Sequence, residues 1–305
     1  METEFNPLTT AHVNLQIEEE FPKIQLEAEK FELWFQPVYD LATGVILHNE
    51  VLVRWRDEQG NLRQPKELLI ALKNTQLLNQ LDRIIVEKSI SILSHQTTVT
   101  LSVNLSNDIF DDQEFLSQLH AWLTQYKVAP KRLYFEIEEE ILSQEQPLVL
   151  PFITELQMMG CYVVIDNFTG KFFPLLQLQE LPVKMIKLER SFALRPVSIT
   201  KKQLATAISY VSRTFQIQTV LKGIDDNLSL KLANDIDVKG VQGYSLSRPQ
   251  EKPKTFGFIG LLIIKTIAVL ILLYIVKSLL GINIFPEHHL WDVIVEFFQS
   301  LFDGK

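Results

Sequence analysis

The sequence predicts an α/β barrel followed by one membrane-spanning helix. Between residue 31 and about residue 241, short runs of β-branched and aromatic residues alternate with longer segments of helical periodicity. This rhythm is typical of parallel strands connected by helices. Eight strand candidates in one stretch of this size indicate a closed barrel. Near the C-terminus the composition changes abruptly to an apolar run that is long enough to cross a bilayer.

The predicted strands follow one another with helical segments between most of them. They cover residues 33–39, 45–55, 99–104, 132–137, 162–165, 185–188, 219–221 and 238–242. Residues 40–44 alone connect the first two strands, and this connection is too short for the helix of a parallel crossover. We therefore expect an antiparallel first pair and a modified TIM barrel in which one strand runs against the rest.

The composition is that of a globular protein with an acidic surface. Of the 305 residues 47% are hydrophobic and 22% are charged, and the net charge is -8. A surplus of carboxylates disfavours binding to a phosphate backbone, so we expect neither DNA nor RNA as a partner. Cys161 is the only cysteine, which excludes an internal disulfide and predicts a reducing compartment and a core position for this thiol.

The chain divides into an N-terminal extension, a barrel, a linker, a membrane helix and a short tail. We place them at residues 1–30, 31–250, 251–255, 256–280 and 281–305. The extension has no basic region leading into an apolar stretch, so no signal peptide is expected. In the tail, apolar residues recur at helical spacing, which predicts an amphipathic helix that lies at the membrane interface or forms an oligomer contact.

The apolar segment contains 21 residues from Phe256 to Val276, and Lys265 is its only charged residue. A helix needs about 20 residues to cross a bilayer. A buried core helix is the alternative, but a helix that is apolar on every side has no partner left beside a closed barrel. Lys265 would cost roughly 3 kcal/mol at mid-bilayer. Snorkelling, a helix partner or a shift of the span toward residues 266–285 would reduce this cost.

Basic residues stand on the barrel side of this segment, at Arg248, Lys252 and Lys254. The far side has Lys277 and then an acidic tail that ends in Lys305. The positive-inside rule therefore predicts a single-pass protein whose barrel lies in the cytoplasm.

Polar residues stand at or just beyond the ends of most predicted strands. In TIM barrels such positions meet at one mouth and form the active site. They are Glu50, Asn104, Glu136, Asp166, Lys187, Lys222 and Gln242. We therefore expect one site at the mouth of the barrel.

Six groups of short motifs, in order and at compatible spacings, resemble the EAL family of cyclic di-GMP phosphodiesterases. They are Phe-Gln-Pro at 35–37; Glu-Val-Leu at 50–52 with Arg-Trp at 54–55; Val-Asn-Leu-Ser at 103–106; Glu-Ile-Glu-Glu at 136–139; Leu-Pro-Val at 181–183 with Lys-Leu-Glu-Arg-Ser-Phe at 187–192; and Gln-Gly-Tyr-Ser-Leu-Ser-Arg-Pro at 242–249. The resemblance covers residues 31–249 and implies the modified TIM barrel of the EAL type.

The resemblance also implies a site chemistry. In the family, two Mg²⁺ or Mn²⁺ ions activate a water molecule and neutralise the phosphodiester. By resemblance, Glu50, Asn104, Glu136 and Asp166 would bind one metal ion, and Lys187 would hold the attacking water. Cyclic di-GMP would contact residues at the same mouth, namely Gln36, Leu52, Arg54, Asn104, Asp166, Lys187, Lys222 and Gln242.

Two positions depart from the family pattern and indicate a degenerate site. Asn167 stands where the family has the second Asp of Asp-Asp-Phe, and Lys222 stands where it has the Glu of Ala-Glu-Gly. The five pocket carboxylates of the family thus become three, and one cation is added. Two unit charges ~4 Å apart interact by about 4 kcal/mol at an effective dielectric constant of 20. Lys222 should therefore exclude the second metal ion, and we expect no required cofactor, at most one Mg²⁺ or Mn²⁺, and no hydrolysis.

Three functions stay open at this point. The first is a catalytically inactive receptor or regulatory module at the bacterial inner membrane, in which Lys222 supplies positive charge to a phosphate of cyclic di-GMP. The second is a protein-binding scaffold without a nucleotide ligand, and the third is a weak metal-dependent phosphodiesterase. A protein partner and a homodimer are further expectations. Phe172 and Phe173 in the altered loop at residues 169–174 either pack under the barrel rim or form a partner-binding patch.

Overall fold

The computed structural model describes residues 26–255 except 58 and 73–76, together with residues 269, 271 and 272. For residues 66–68 and 71 it describes the backbone alone. The chain divides into two compact units, Met1–Thr255 and Phe256–Lys305. All elements named below belong to the first unit.

The strands form a closed barrel because the first strand pairs with both the second and the last. In chain order they are β1 (Phe31–Asp40), β2 (Ile46–Arg56), β3 (Leu62–Arg63), β4 (Leu101–Asn104), β5 (Leu133–Glu138), β6 (Tyr162–Phe168), β7 (Met185–Leu188), β8 (Gln218–Lys222) and β9 (Gly240–Gln242). Around the ring the order is β1, β9, β8, β7, β6, β5, β4, β2, and β2 pairs again with β1. The short β3 pairs with β2 outside this ring. The predicted barrel is confirmed.

The direction of β1 distinguishes this barrel from an all-parallel one. β1 runs antiparallel to β2 and to β9, whereas the remaining neighbours in the ring pair in parallel. The tight connection after Asp40 causes this arrangement, since Asp40 Oδ1 accepts hydrogen bonds from the backbone of Ala42 at 3.0 Å and of Thr43 at 2.9 Å. The predicted antiparallel pair and single reversed strand are both confirmed.

Seven α-helices lie within the described residues. They are α1 (Pro65–Leu72), α2 (Leu77–His95), α3 (Phe115–Gln125), α4 (Glu139–Gln144), α5 (Gln146–Met158), α6 (Ile199–Thr214) and α7 (Asn227–Asp235). Short 3₁₀ turns occur at Ala28–Lys30, Asn107–Ile109, Pro130–Arg132, Leu175–Glu180 and Arg190–Phe192. The side chains of Ser198 and Asp226 cap the backbone at the starts of α6 and α7, as expected for residues with a short acceptor side chain.

Most strands are apolar on both faces because one face lines the barrel and the other packs on helices. Val38, Val164, Met185 and Val220 form a buried cluster that is separate from the main core, as expected for the packed interior of a barrel. The larger cluster joins the outer faces of the strands to the helices and includes Cys161, which is buried as predicted.

Most observed strand ends lie within two residues of the predicted ones, and two differences are larger. β6 continues to Phe168 instead of ending at residue 165, and β3 was not predicted. The polar residues Asp166 and Asn167 interrupt the apolar pattern of β6, so the pattern by itself stops too early. At this point the pairing of β6 with β7 changes register, and Asn167 has a φ of 51°. β3 has only two residues, both exposed, and therefore carries no burial pattern.

Several predictions fall outside the described residues. The predicted membrane span at 256–280 and the tail at 281–305 are outside them except for residues 269, 271 and 272, which are helical. Most of the predicted extension at 1–30 is outside them as well. Within the described part of the chain, no helix has both the length and the apolar character of a membrane span.

Gly243 allows two backbone segments to pack directly on each other after β9. A Cβ at this position would lie less than 3.0 Å from the nitrogen, carbonyl carbon and oxygen of Ile224. Ile224 N donates to Gln242 O at 3.1 Å, and Ser245 N donates to Ile224 O at 3.1 Å. Because these hydrogen bonds hold the segments together, the backbone cannot move aside without breaking them.

We predict that Gly243→Ala lowers the free energy of unfolding by about 3 kcal/mol or more, since the added methyl group overlaps backbone atoms. Urea denaturation of the full chain in detergent measures this change. Gly60→Ala is the control, because Gly60 has positive φ but no atom within 4 Å of the place that an added methyl group would take, and it should cost only about 1 kcal/mol. Equal losses in the two variants would contradict the steric explanation.

Asp82 is a buried carboxylate that connects α2 to the segment after β4. Its Oδ2 accepts hydrogen bonds from Ser106 N at 2.8 Å and from Ser106 Oγ at 2.7 Å. Burial raises the pKa of Asp82 to about 7, although these two hydrogen bonds favour the charged form. The negative charge of Asp108 raises this pKa further. The folded chain therefore keeps a proton on Asp82 at pH values where the unfolded chain has released it.

This raised pKa predicts that stability falls as pH rises. The contribution of protonated Asp82 is complete below the ordinary pKa of 3.8 and is lost as pH rises through about 7. Relative to Asp82→Asn, which keeps an acceptor for Ser106 and carries no charge, the unfolding free energy of the wild type should decrease by about 3 kcal/mol from about pH 5 to about pH 8. Urea denaturation across this range measures it, and identical pH dependence in both proteins would refute the prediction.

Candidate functional site

Parallel strands bring most of the predicted site residues to one end of the barrel. Glu136 on β5 pairs in register with Asn104 on β4, and Lys222 on β8 pairs with Gln242 on β9. Glu50 on β2 lies directly opposite Gln36 on the reversed strand β1. Residues that are far apart in the sequence thus meet at the mouth, as the strand ends predict.

Lys187 is the centre of a buried ion cluster below the mouth. Its side chain is fully buried, and Nζ donates to Glu50 Oε2 at 2.7 Å and to Glu136 Oε1 at 2.5 Å. Ser102 Oγ donates to the same oxygen of Glu136 at 2.5 Å, and Gln242 Nε2 donates to Glu50 Oε2 at 2.8 Å. An ammonium group needs such partners here, because an unpaired charge in a protein interior costs several kcal/mol.

The ionisable groups of this cluster carry complementary charges. Burial opposes the charge of Glu50, but Lys187 and Lys222 outweigh burial and lower the pKa of Glu50 to about 2. Burial and the charge of Glu50 raise the pKa of Glu136 to about 7, against the attraction of Lys187. Burial opposes the charge of Lys187 too, but Glu136 and Glu50 outweigh it and raise the pKa of Lys187. Glu50 and Lys187 therefore form a charged pair at neutral pH, and Glu136 titrates beside them.

Lys222 makes a second cation contact nearer the rim. Its Nζ lies 2.6 Å from Asp166 Oδ1 and 2.6 Å from Asn167 Oδ1. Asn167 Nδ2 in turn donates to Glu138 Oε1 at 3.1 Å. The side chains of Lys222 and Asp166 are 17% and 10% exposed, so water screens this ion pair only in part. Asn167 and Lys222, the two residues that depart from the family pattern, therefore lie side by side, and Lys222 donates a hydrogen bond to Asn167.

The residues of the first predicted metal site have suitable donor atoms for one hard cation. Mg²⁺ and Mn²⁺ prefer oxygen ligands, which Glu50, Asn104, Glu136 and Asp166 supply. Within the described residues, Glu136 Oε2 is buried and accepts no hydrogen bond. In this arrangement, however, no three His, Cys, Asp or Glu side chains in the described part of the chain converge as metal ligands.

The surroundings of the position that the family resemblance assigns to a second metal ion do not suit a dication. The oxygen of Asn167 accepts a hydrogen bond from Lys222, and the same ammonium binds Asp166. An amide oxygen has no net charge to offset a dication, and the ammonium repels one. In this structure the ammonium group of Lys222 occupies the oxygen atoms at this position.

His48 lies inside the barrel beside Glu136 and was not predicted as a site residue. The ring is completely buried, its Nε2 is 3.9 Å from Glu136 Oε1, and neither ring nitrogen has a hydrogen-bond partner among the described residues. Burial and then the charge of Lys187 lower the pKa of His48 to about 3, so the imidazole is neutral. Its position two residues before Glu50 on one strand places both side chains on the same face, and this spacing was the available signal.

A cavity of about 290 Å³ opens at the mouth of the barrel. Five of the predicted residues line it, namely Gln36, Glu50, Asn167, Lys222 and Gln242. Arg190, Asp225 and Tyr244 also line it, although none of them was predicted as a site residue. Arg190 Nη2 donates to Asp225 Oδ2 at 2.7 Å. Arg190, Asp225 and Tyr244 stand within or beside the sequence motifs, and this position could have predicted them. Two larger cavities, of about 370 and 420 Å³, are lined by no predicted site residue.

Arg54 and Leu52 do not line this cavity. The guanidinium of Arg54 lies 5.6 Å from the ring centre of Trp34, and its Nη1 donates to Val53 O at 2.8 Å. Burial lowers the pKa of Arg54, while the neighbouring Tyr244 raises it. Among the described residues no acid forms a salt bridge with Arg54, so the guanidinium retains donors for a ligand.

Glu139 determines the conformation of the altered loop after β6. Its carboxylate accepts hydrogen bonds from Thr169 N at 2.8 Å, Thr169 Oγ1 at 2.7 Å, Phe172 N at 3.3 Å and Phe173 N at 3.1 Å. Phe173 is buried under the rim, whereas Phe172 is 39% exposed. The two alternatives for this loop therefore apply to different residues: Phe173 packs in the core and Phe172 stays on the surface.

Comparison with known proteins gives a family match and several curated relatives. Residues 19–249 match the family described as EAL domain. The chain is 26% identical over 249 residues to the cyclic di-GMP phosphodiesterase NbdA of Pseudomonas aeruginosa, covering 79% of this chain and 32% of the relative. It is 23% identical over 229 residues to the cyclic di-GMP phosphodiesterase RocR of the same species, covering 73% of this chain and 58% of the relative. The chain thus spans about a third of the first relative.

Solved structures show the same fold at low sequence identity. The PaMucR phosphodiesterase in complex with c-di-GMP has a TM-score of 0.70 at 22% identity, over 78% of this chain and 97% of that one. The FimX EAL domain of Pseudomonas aeruginosa bound to c-di-GMP has a TM-score of 0.69 at 24% identity, over 79% and 96%. These similarities establish the barrel, and the match over residues 19–249 shows that the chain belongs to the EAL domain family.

Proposed function

We propose that this chain is a membrane-anchored EAL-domain protein that binds cyclic di-GMP without hydrolysing it and acts in cyclic di-GMP signalling as a receptor or regulatory module. The observation that carries the proposal is the position of Lys222, whose ammonium group binds both Asp166 and Asn167 at 2.6 Å. A lysine in this position competes directly with a metal ion for the oxygens of β6.

Electrostatics supports the loss of hydrolysis. Two-metal hydrolysis requires both ions, since together they hold the attacking and the leaving oxygens of the phosphodiester. The buried carboxylates of the mouth are instead neutralised by Lys187 and Lys222. Binding a second dication would require Lys222 to leave Asp166, and the ammonium would then face the ion across a few ångströms. The repulsion at ~4 Å is roughly twice the 4 kcal/mol for a pair of unit charges.

The same cations support nucleotide binding. Lys222 and Arg190 line the cavity together with Gln36 and Gln242, which supply amide groups for hydrogen bonds. An ammonium and a guanidinium are the usual protein partners of phosphate groups. The solved EAL domains of PaMucR and FimX are complexes with c-di-GMP. We extend this ligand class to the present cavity, with at most one Mg²⁺ or Mn²⁺ at Glu50, Asn104, Glu136 and Asp166.

We further propose that residues 256–280 anchor the protein in the bacterial inner membrane as a single span, with the barrel in the cytoplasm. The apolar composition of this segment and the basic residues before it support the location. A protein partner and a homodimer belong to the same proposal.

The proposal predicts binding in the absence of divalent metal. In isothermal titration calorimetry of the full chain in detergent with EDTA, cyclic di-GMP should bind, and Lys222→Glu should weaken binding about tenfold or more, since it replaces an attraction to phosphate with a repulsion. Lys131→Glu is the matched control, because Lys131 is exposed and precedes β5 at the opposite end of the barrel.

Three outcomes would contradict this proposal. A linear dinucleotide product with wild-type protein and Mn²⁺, abolished in Glu50→Ala, would favour the weak phosphodiesterase. Absence of binding heat at high ligand concentration would favour the protein-binding scaffold. An equal effect of both lysine substitutions would show that net charge, and not the cavity, controls affinity.

A further prediction concerns restoring the residues that the family has at positions 167 and 222. Asn167→Asp combined with Lys222→Glu should create Mn²⁺-dependent hydrolysis of cyclic di-GMP at a rate about 100-fold or more above that of the wild type. The reason is that carboxylates, which can bind a metal ion, replace the amide of Asn167 and the ammonium group of Lys222. Chromatographic detection of the linear product measures the rate.

The control for this variant is Asn167→Asp combined with Lys222→Met. This variant removes the ammonium but adds no ligand at position 222, so it should stay inactive. Activity in the Met variant would show that the charge alone blocks hydrolysis. Inactivity of the Glu variant in spite of bound metal would show that other parts of the site have also lost function.

A further inference from the structure

A segment at the C-terminal end of the barrel domain runs back along β1 and β2. It comprises residues 247–254, here called the strap, and it ends two positions before residue 256, where the apolar segment begins. Its last residues were predicted to form a linker. The structure shows hydrogen bonds from β1 and β2 to both ends and to the middle of the strap.

The strap is attached at three points. Gln36 Nε2 donates to Ser247 O at 3.1 Å. Gln250 and Phe35 exchange backbone hydrogen bonds, with Phe35 N to Gln250 O at 2.7 Å and Gln250 N to Phe35 O at 2.9 Å. Lys254 is bound at both its backbone amide and its carbonyl group by the side chain of Asn49. These contacts fix the direction in which the chain approaches residue 255.

Asn49 holds the far end of the strap. Its Nδ2 donates to Lys254 O at 3.0 Å, and its Oδ1 accepts from Lys254 N at 3.0 Å. Asn49 is only 1% exposed, so its amide depends on these two bonds, because an unsatisfied buried amide costs about 1–3 kcal/mol. Lys254 Nζ also lies 3.3 Å from Tyr39 Oη on β1. The pair of amide bonds is a specific clamp on the C-terminal end of the strap.

Both ends of the strap are attached next to the candidate nucleotide site. Gln36 lines the cavity, and it is paired in register with Glu50 across β1 and β2. Asn49 is the residue immediately before Glu50 and is paired with Pro37. Gln242 Nε2 lies 3.5 Å from Gln36 Oε1 and donates to Glu50 Oε2. Glu50 and Gln36 are therefore connected to Lys254 by a short path of covalent and hydrogen bonds. A displacement of either side chain can move the strap along this path.

We propose that the strap couples occupancy of the barrel mouth to the position where the C-terminal segment leaves the barrel. The coupling rests on the proposed function, because the occupant is cyclic di-GMP. A ligand that contacts Gln36 restricts its side chain, strengthens the bond to Ser247 and tightens the strap at Gln250 and Lys254. Thermodynamic linkage requires the reverse effect as well, so loosening the clamp at Asn49 should weaken binding of the ligand.

Amide hydrogen exchange of the full chain in detergent tests this coupling. The amides of Gln250 and Lys254 donate hydrogen bonds to β1 and β2 and should be protected without ligand. Saturating cyclic di-GMP should slow their exchange about fivefold or more, the size of an ordinary coupling between sites. Asn49→Ala should remove protection at Lys254 and weaken nucleotide binding about fivefold or more. Asn61→Ala, in an exposed turn after β2, is the matched control and should change neither quantity.

The outcomes separate this inference from the proposed function. Nucleotide binding with unchanged exchange at Gln250 and Lys254 would overturn the coupling and leave the receptor intact. If no nucleotide binds, the proposed function fails. The coupling is then tested by amide exchange of Glu50→Gln without ligand: altered exchange at Gln250 and Lys254 would support the coupling, and unchanged exchange at both amides would overturn it. If Asn49→Ala does not fold, Asn49→Asp, which keeps the acceptor for Lys254 N but loses the donor, replaces it.

Discussion

Two ammonium groups hold the barrel mouth together by pairing with its carboxylates. Lys187 is buried against Glu50 and Glu136, and Lys222 lies nearer the rim against Asp166. Carboxylates so close together repel one another unless a cation lies between them, and in a site withdrawn from water this repulsion is large. In this structure the ammonium groups of Lys187 and Lys222 supply that positive charge.

The strap connects the mouth to the C-terminal end of the barrel domain through hydrogen bonds. Gln36 and Asn49 flank Glu50 in the paired strands β1 and β2, and each binds one end of residues 247–254. The antiparallel direction of β1 makes this possible, because it brings the middle of the first strand to the rim beside the end of the domain. The strap is thus the proposed physical connection between the mouth and the end of the barrel domain.

Much of the fold could be predicted from the sequence, since alternating strand and helix patterns reflect local burial. The closed barrel, the antiparallel first pair and the convergence of the polar strand ends were all predicted correctly. β6 was predicted too short because Asp166 and Asn167 are polar residues within a strand, and polarity in the middle of an apolar pattern indicates an end. The neutral His48 beside Glu136 was not found, although its spacing from Glu50 places both side chains on the same face of β2. Its contact with Glu136 depends on the closure of the barrel.

The sequence by itself determined which charges are present: three pocket carboxylates, an amide at Asn167 and a lysine at 222. It also determined the order of the strands, because periodicity and loop length are local properties of the chain. Only the tertiary structure decided which atoms pair, that Lys222 binds Asp166 and Asn167 rather than Glu50, and that Asn49 binds Lys254 instead of pointing to solvent. These pairings depend on strand register and barrel closure, which bring residues about 200 positions apart within hydrogen-bond distance, and no local pattern in the sequence encodes that distance.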